Sequence, residues 1–288
     1  MGYYKIANII LEIENVNYDT FHNRMREYKL DYIPENVDVK ISYFENDNIS
    51  VPEEEYSYSK NNKRWVKNSK GYIFYDYYEQ YNKVYTYIEA NADWSKIKYI
   101  ISDASSEFGV SNDVRSFNLL SLIMQNVILY RNGMVIHSSA IDYKGNGIAF
   151  FAPSGTGKST HTSLWKKFYP DDVVIINDDS PIVKCEDGNL IMYGTPWSGK
   201  SNINTNRSVP LKAIVFLRQA HENSIRKVKN AIEALQVIMP EIYKPKFEDM
   251  ANLNMDMLDK IIKNTPMYVM YCNISKEAVD TVKNEVIK

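Results

Sequence analysis

Cysteine is nearly missing from these 288 residues: Cys185 and Cys272 are the only two, too few for a disulfide framework and without metal-ligand spacing. Charge of one sign is also lacking. A formal net charge of -2 gives no electrostatic case for nucleic acid or an anionic membrane as partner. No apolar run is long enough to span a bilayer. The opening residues Met1, Gly2, Tyr3, Tyr4, Lys5 and Ile6 offer neither a signal core nor the hydroxyl that myristoylation needs at position 6. Internal repeats and low-complexity tracts are absent as well. What these absences leave is a globular chain, expected in the reducing cytoplasm and long enough for one large domain or two smaller ones.

Glycine is scarce through residues 1–108, where tyrosine, asparagine and charged residues dominate. Strand-like runs at 4–13, 37–44, 71–78 and 83–90 predict a mainly antiparallel β-rich region. Pairs such as Tyr77 and Tyr78 suit cross-strand packing, and the acidic run Glu53, Glu54, Glu55 suits a solvated loop. No motif here points to chemistry. The stretch 105–113 reads as a hinge, dividing the chain into residues 1–110, of unassigned role, and residues 111–288.

The second part is where the chemistry lies. A helix is predicted over 113–131, with Phe117, Leu120, Met124 and Val127 on one face and Gly133 as terminator. Strands 134–143 and 147–151 form a hairpin across Lys144, Gly145, Asn146 and Gly147. Directly after it comes Ala152, Pro153, Ser154, Gly155, Thr156, Gly157, Lys158, Ser159, Thr160, and then a helix over 159–168. Strand, glycine-rich loop and helix start make a phosphate-binding loop, even with Ala152 where the usual pattern has glycine. Its glycines let successive N–H groups converge on phosphate at a positive helix end. Lys158 brings charge to the outer phosphates, and the Ser159 hydroxyl can ligate magnesium.

One helix later the apolar run 173–176 predicts a buried strand, which delivers Asn177, Asp178 and Asp179 beside that loop in metal-binding geometry. Beyond lie a hairpin (181–184 and 190–193), the segment 194–200, a strand 211–217, helices near 230–239 and 247–263, a strand 267–272 and a helix capped by Ser275. Trp197, Ser198, Gly199 and Lys200 could clamp an acceptor or phosphate, or form a packed loop with a core tryptophan. Lys200 and Arg207 are candidate phosphate or acceptor contacts. His161 is expected on the helix surface.

The glycine loop after an antiparallel hairpin, with Asp178 and Asp179 one helix on and His137 upstream, resembles the catalytic domain of the HPr serine kinase/phosphorylase family. That family shares its core with phosphoenolpyruvate carboxykinases. The resemblance runs from about residue 134 onward and extends, through 155–162, 177–179 and 193–200, to small HPr-kinase-like proteins outside sugar regulation. It implies an α/β fold: a P-loop core of mixed sheet with antiparallel hairpins and flanking helices, beside the N-terminal β-rich region. It also implies roles. Lys158 and the backbone of residues 154–160 would hold ATP, Ser159 and Asp179 would hold Mg²⁺, Asp178 would accept the proton of the attacking hydroxyl, and His137 would sit near the transferred group. The implied activity is γ-phosphate transfer to a hydroxyl of a peptide, protein or small molecule, and the family implies a homo-oligomer.

Departures narrow this expectation. The family's glycine-rich signature with acidic and arginine residues is replaced by Thr195, Pro196 and Trp197, which argues against HPr as acceptor. The carboxykinases' arginine-bearing substrate motif and full metal site have no counterpart, which argues against decarboxylation. The alternatives are a nucleotide-sensing module without an acceptor, a small carboxykinase-like enzyme, and a plain NTPase, whose guanine and ABC signatures are missing.

Overall fold

A computed structural model describes residues 1–287, which divide into two compact units. Unit 1 holds residues 1–130 and 245–251; unit 2 holds 131–244 and the described residues from 252 onward. The division falls one helix later than the sequence boundary at 110/111. Among the described residues no helix is long and apolar enough to cross a membrane.

Unit 1 is an eight-stranded mixed sheet: β1 (Gly2–Ile6), β2 (Ile9–Glu14), β3 (Val39–Glu45), β4 (Tyr58–Lys60), β5 (Lys63–Asn68), β6 (Gly71–Tyr78), β7 (Lys83–Asn91) and β8 (Lys96–Ile101), in the order β1-β2-β3-β8-β7-β6-β5-β4. Only β2–β3 and β3–β8 pair parallel. Helices α1 (Asp19–Met25), α2 (Ser105–Phe108) and α3 (Asn112–Val127) complete it. The single strand expected over 4–13 is a hairpin, because Ala7 (φ 50°) and Asn8 (φ 59°) form a left-handed two-residue turn without glycine. The expected hinge at 105–113 contains α2 and the start of α3, whose N-cap Ser111 accepts from the Val114 N–H. Thr20 donates to Asp113 at 2.6 Å, and Arg115 donates to the carbonyls of Ser102 and Tyr85, so α3 is fastened to unit 1.

Unit 2 contains β9 (Gly133–Val135), β10 (Ser139–Tyr143), β11 (Asn146–Phe151), α4 (Lys158–Phe168), β12 (Val173–Asn177), β13 (Ile182–Glu186), β14 (Asn189–Tyr193), β15 (Ser208–Gln219), β16 (Ser224–Lys227), α5 (Ala231–Ile238), β17 (Met267–Cys272) and α7 (Lys276–Val286). Helix α6 (Glu248–Asn264) begins in unit 1 and ends in unit 2. The sheet runs β12-β10-β11-β15-β14-β13-β9, with β17 also on β15 and β16 on β17. Strand β15 is its axis: the first residues pair antiparallel with β14, while 211–219 pair parallel with β11 and β17.

Burial follows the period of two along β11 and β15. Ala149, Phe151, Ile214 and Phe216 face one core with Ile238, Leu258 and Ile261 of α5 and α6. Ile148, Phe150, Val215 and Leu217 face the other with Trp165 of α4 and Val279 and Val282 of α7. The strand expected over 134–143 is broken. Residues 136–138 leave the ladder because their N–H groups bond instead to the carbonyls of Pro181, Glu241 and Asp179. His137 therefore sits at a gap between two strands.

Candidate functional site

The ends of β11 and β12, the break at 136–138 and the first turn of α4 converge. After Phe151 the chain turns through Gly155 (φ 78°) and Gly157 (φ 112°), conformations that L side chains rarely adopt. Gly157 opens α4 with no side-chain cap, unlike α5 and α7, which Asn230 and Ser275 cap. Ser154, Gly155, Ser159 and Thr160 are exposed, with Thr156 and Gly157 half-buried. The first-turn N–H groups thus form an uncapped positive end, while within the loop the Thr156 N–H donates to the Pro153 carbonyl at 3.1 Å.

Lys158 is buried, and its Nζ donates to the Ala152 carbonyl at 2.6 Å and lies 3.1 Å from His137 Nε2. His137 Nδ1 lies 3.6 Å from Asp179 Oδ1. A cationic lysine on Nε2 assigns the imidazole proton to Nδ1, toward the carboxylate. Burial holds the Lys158 ammonium below the ordinary lysine range, while Glu241, Asp179 and Asp178 pull it back up.

The two aspartates have different supports. Asp178 is buried, and its Oδ1 accepts from the Ser139 hydroxyl at 2.6 Å; Ser139 Oγ is 2.8 Å from Thr162 Oγ1 on α4. Asp179 is half-buried, and its Oδ2 accepts from Ser180 at 2.6 Å. Strand β12 stops at Asn177 because that side chain makes the turn. Its Oδ1 accepts from the N–H groups of Asp179 (2.8 Å) and Ser180 (2.7 Å), and its Nδ2 donates to the carbonyls of Thr195 and Trp197.

That last contact joins the carboxylates to the 194–207 loop. Gly194 lies against the chain at 205: a Cβ there would come within 1.9 Å of the Thr205 carbonyl and 2.8 Å of that of Ile176. Gly199 (φ 61°) abuts Asp179. Trp197 and Ser198 are buried, with Ser198 Oγ accepting from Asn204 at 2.8 Å, whereas Lys200 is exposed. Arg207 is placed elsewhere: it pairs with Asp142 at 3.4 Å, toward the turn end of β10 and away from the glycine loop.

His161 corrects the sequence expectation. It is buried rather than on the helix surface, its ring 4.8 Å from that of Phe150, and desolvation lowers its pKa to about 4. The loop, Lys158, His137, Asp178 and Asp179 are thus brought together. Ser139 and the part played by Thr162 were missed by sequence reasoning; Asn177 was singled out with the two aspartates but not as the residue that makes their turn, for which an asparagine at that place carries the local signal of an Asx turn.

No curated protein matches this chain. Among solved structures, the HPr(Ser) kinase/phosphatase from Coxiella burnetii aligns at 10% identity with a TM-score of 0.33, covering 54% of this chain and 97% of its own. The model of the family described as SynChlorMet cassette protein ScmC matches residues 109–288, more than half of the sequence, and the chain belongs to that family.

Proposed function

We propose that this protein is an ATP-dependent, Mg²⁺-requiring kinase that transfers the γ-phosphoryl group to a hydroxyl of a peptide, protein or small molecule. The observation that carries the reading is the convergence on one uncapped, glycine-opened helix start of Lys158, His137 and two differently held carboxylates. The N–H groups of 154–160 receive the β- and γ-phosphates, and Lys158 exchanges its bonds to Ala152 and His137 for phosphate oxygens. Asp178, fixed by Ser139, accepts the proton as the acceptor oxygen bonds the γ-phosphorus. The bond to the β–γ bridging oxygen breaks, and its electron pair leaves with ADP. His137 stands beside the transferred group, oriented by Asp179. Exposed Lys200, next to Gly199 on the loop that touches Asp179, contacts the acceptor; Trp197 and Ser198 pack that loop.

The donor set fits a magnesium ion that arrives with the nucleotide. Among the described residues no three His, Cys, Asp or Glu side chains gather into a closed cage. The hard oxygens at hand are the Asp179 carboxylate and the Ser159 hydroxyl, as suits an ion that keeps phosphate and water ligands. Bound there, it would neutralise phosphate charge.

The test is transfer of labelled γ-phosphate from Mg·ATP into separated protein, peptide and small-molecule fractions. Label in one fraction, lost in both Lys158→Ala and Asp178→Asn, is the expected result. ATP binding without transfer to any fraction would replace the kinase by a nucleotide sensor, and retained turnover in Asp178→Asn would remove the base role.

A further inference from the structure

Two clefts flank the glycine loop where β11 and β15 end. The one on the α4 side, about 520 Å³, is lined by Gly155, Gly157, Thr160, Leu164, Leu217 and Ile274 among others, and no Asp, Glu, Lys or Arg lines it. Its volume falls within the ~300–1,000 Å³ of small-molecule pockets. The second, about 440 Å³, opens on Pro153 and Glu241 on the α5 side.

We propose that the α4-side cleft seats the nucleoside half of the nucleotide, with Ile274 covering the base. This rests on the nucleotide reading above. Strand order sets the direction. Asp178 and Asp179 follow β12, two strands from β11 by way of β10, and Lys158 is drawn to that same side by His137. A phosphate chain ending there has its other end across β11, over the ends of β15 and β17, where Gln219 and Asn273 lie. Of the two clefts on that path, the α4-side one borders the uncapped N–H groups of Gly157 and the residues after it. The other is lined by Arg218 and Glu241, of opposite charge, and does not reach Gly157 or Thr160.

The mouth of the cleft is built rigidly. Gln219 Nε2 donates to the Thr156 carbonyl at 3.2 Å and fastens the loop to β15. Asn273 donates through Nδ2 to the His221 carbonyl at 2.8 Å, while its Oδ1 accepts from Asn223 and Ser275 at 3.1 and 2.6 Å. On this fixed turn stands Ile274, 77% exposed. Leu164 and Leu217 supply apolar walls, and the lack of charged lining suits an uncharged planar base.

The test compares calorimetric titrations of the full chain with Mg·ATP and with Mg·tripolyphosphate, which lacks the nucleoside. Ile274→Ala alters an exposed side chain and leaves folding unaffected; Ala220 also lines the cleft, and Ala220→Trp fills it as a second variant. Loss of one isoleucine's contact weakens ATP about tenfold and leaves tripolyphosphate unchanged; Ala220→Trp does the same more strongly. ATP affinity unchanged in both variants, with Lys158→Ala still abolishing it, overturns the cleft assignment alone. Equal loss for both ligands also overturns it. A wild-type chain that binds neither ligand overturns the nucleotide reading and this assignment together.

Discussion

Ser139 holds the Asp178 carboxylate from one side and is tied to Thr162 on the other, so its hydroxyl transmits the position of α4 to the proposed base. Ser139→Ala leaves a buried carboxylate oxygen unpartnered and is expected to cost about 1–3 kcal/mol of stability. It should also lower kcat about tenfold to hundredfold while the Kd for ATP changes little, because misplacement of the base affects only the transition state. A stopped assay of transfer beside a binding titration separates the two. His161 gives a pH signature. Its folded pKa of about 4 lies below the unfolded value of 6.5, so the unfolded chain binds the proton first as pH falls. The stability this neutral ring contributes is complete above about pH 6.5 and is lost between there and about pH 4, on the order of 3 kcal/mol in all. Urea midpoints across that window should fall less steeply for His161→Met than for the parent chain. The loop glycines, Lys158 and the paired aspartates were legible in the sequence because their meaning is local: φ requirements, a charge and a strand end. Ser139 and His161 were not, since each acquires its role from a residue that only the fold brings near.

Asn177 and Gly194 govern the elements around the carboxylates. Removing the Asn177 amide breaks the turn that ends β12 and the bonds to 195 and 197 at once. Asn177→Ala is expected to destabilise by about 2–4 kcal/mol, read as a lower urea midpoint at unchanged slope. Gly194→Ala should be worse, because a methyl at 1.9 Å from a carbonyl forces backbone apart. The end of β12 is bonded to 203–205 through the Asp178 N–H on the Ile203 carbonyl and the Thr205 N–H on that of Ile176, and loss of this pairing is the outcome expected by proteolysis. Strand reading succeeded where hydrophobic alternation and a glycine turn coincide. Lys144 and Gly145 turn β10 into β11 with φ of 51° and 82°, and Asp187 and Gly188 turn β13 into β14 with 48° and 81°. It failed at Ala7 and Asn8, where the same turn lacks glycine, and at 136–138, where an unbroken apolar run conceals a change of partner. Short β4 and β16 carried too little pattern to be seen, and the six-residue β5 and β8 were passed over as well, β8 despite the alternation of buried Ile97, Tyr99 and Ile101.

At the scale of the molecule, the family match begins at residue 109, near the boundary composition suggests, yet contacts place 112–127 in unit 1. Composition records where tyrosine-rich sequence gives way; it does not record that Asp113 and Arg115 are bonded to what precedes them. Residues 245–251 return to unit 1, where Phe247 packs on Trp65 and Tyr72 and Asp249 meets Lys67 at 2.9 Å. A fragment of 131–288 therefore exposes Phe247 and Met250 and is expected to bind a hydrophobic dye and self-associate on size exclusion, unlike the full chain. Strand β15 has a further consequence, for biosynthesis. Its parallel partners lie far away on either side in sequence, β11 before it and β17 after two intervening helices, and such pairings close slowly. On the ribosome, the edge of β15 that β17 will cover stays open after the glycine loop has already been made. A nascent chain stalled before residue 267 therefore presents unpaired backbone to chaperones or to its neighbours on the same polysome.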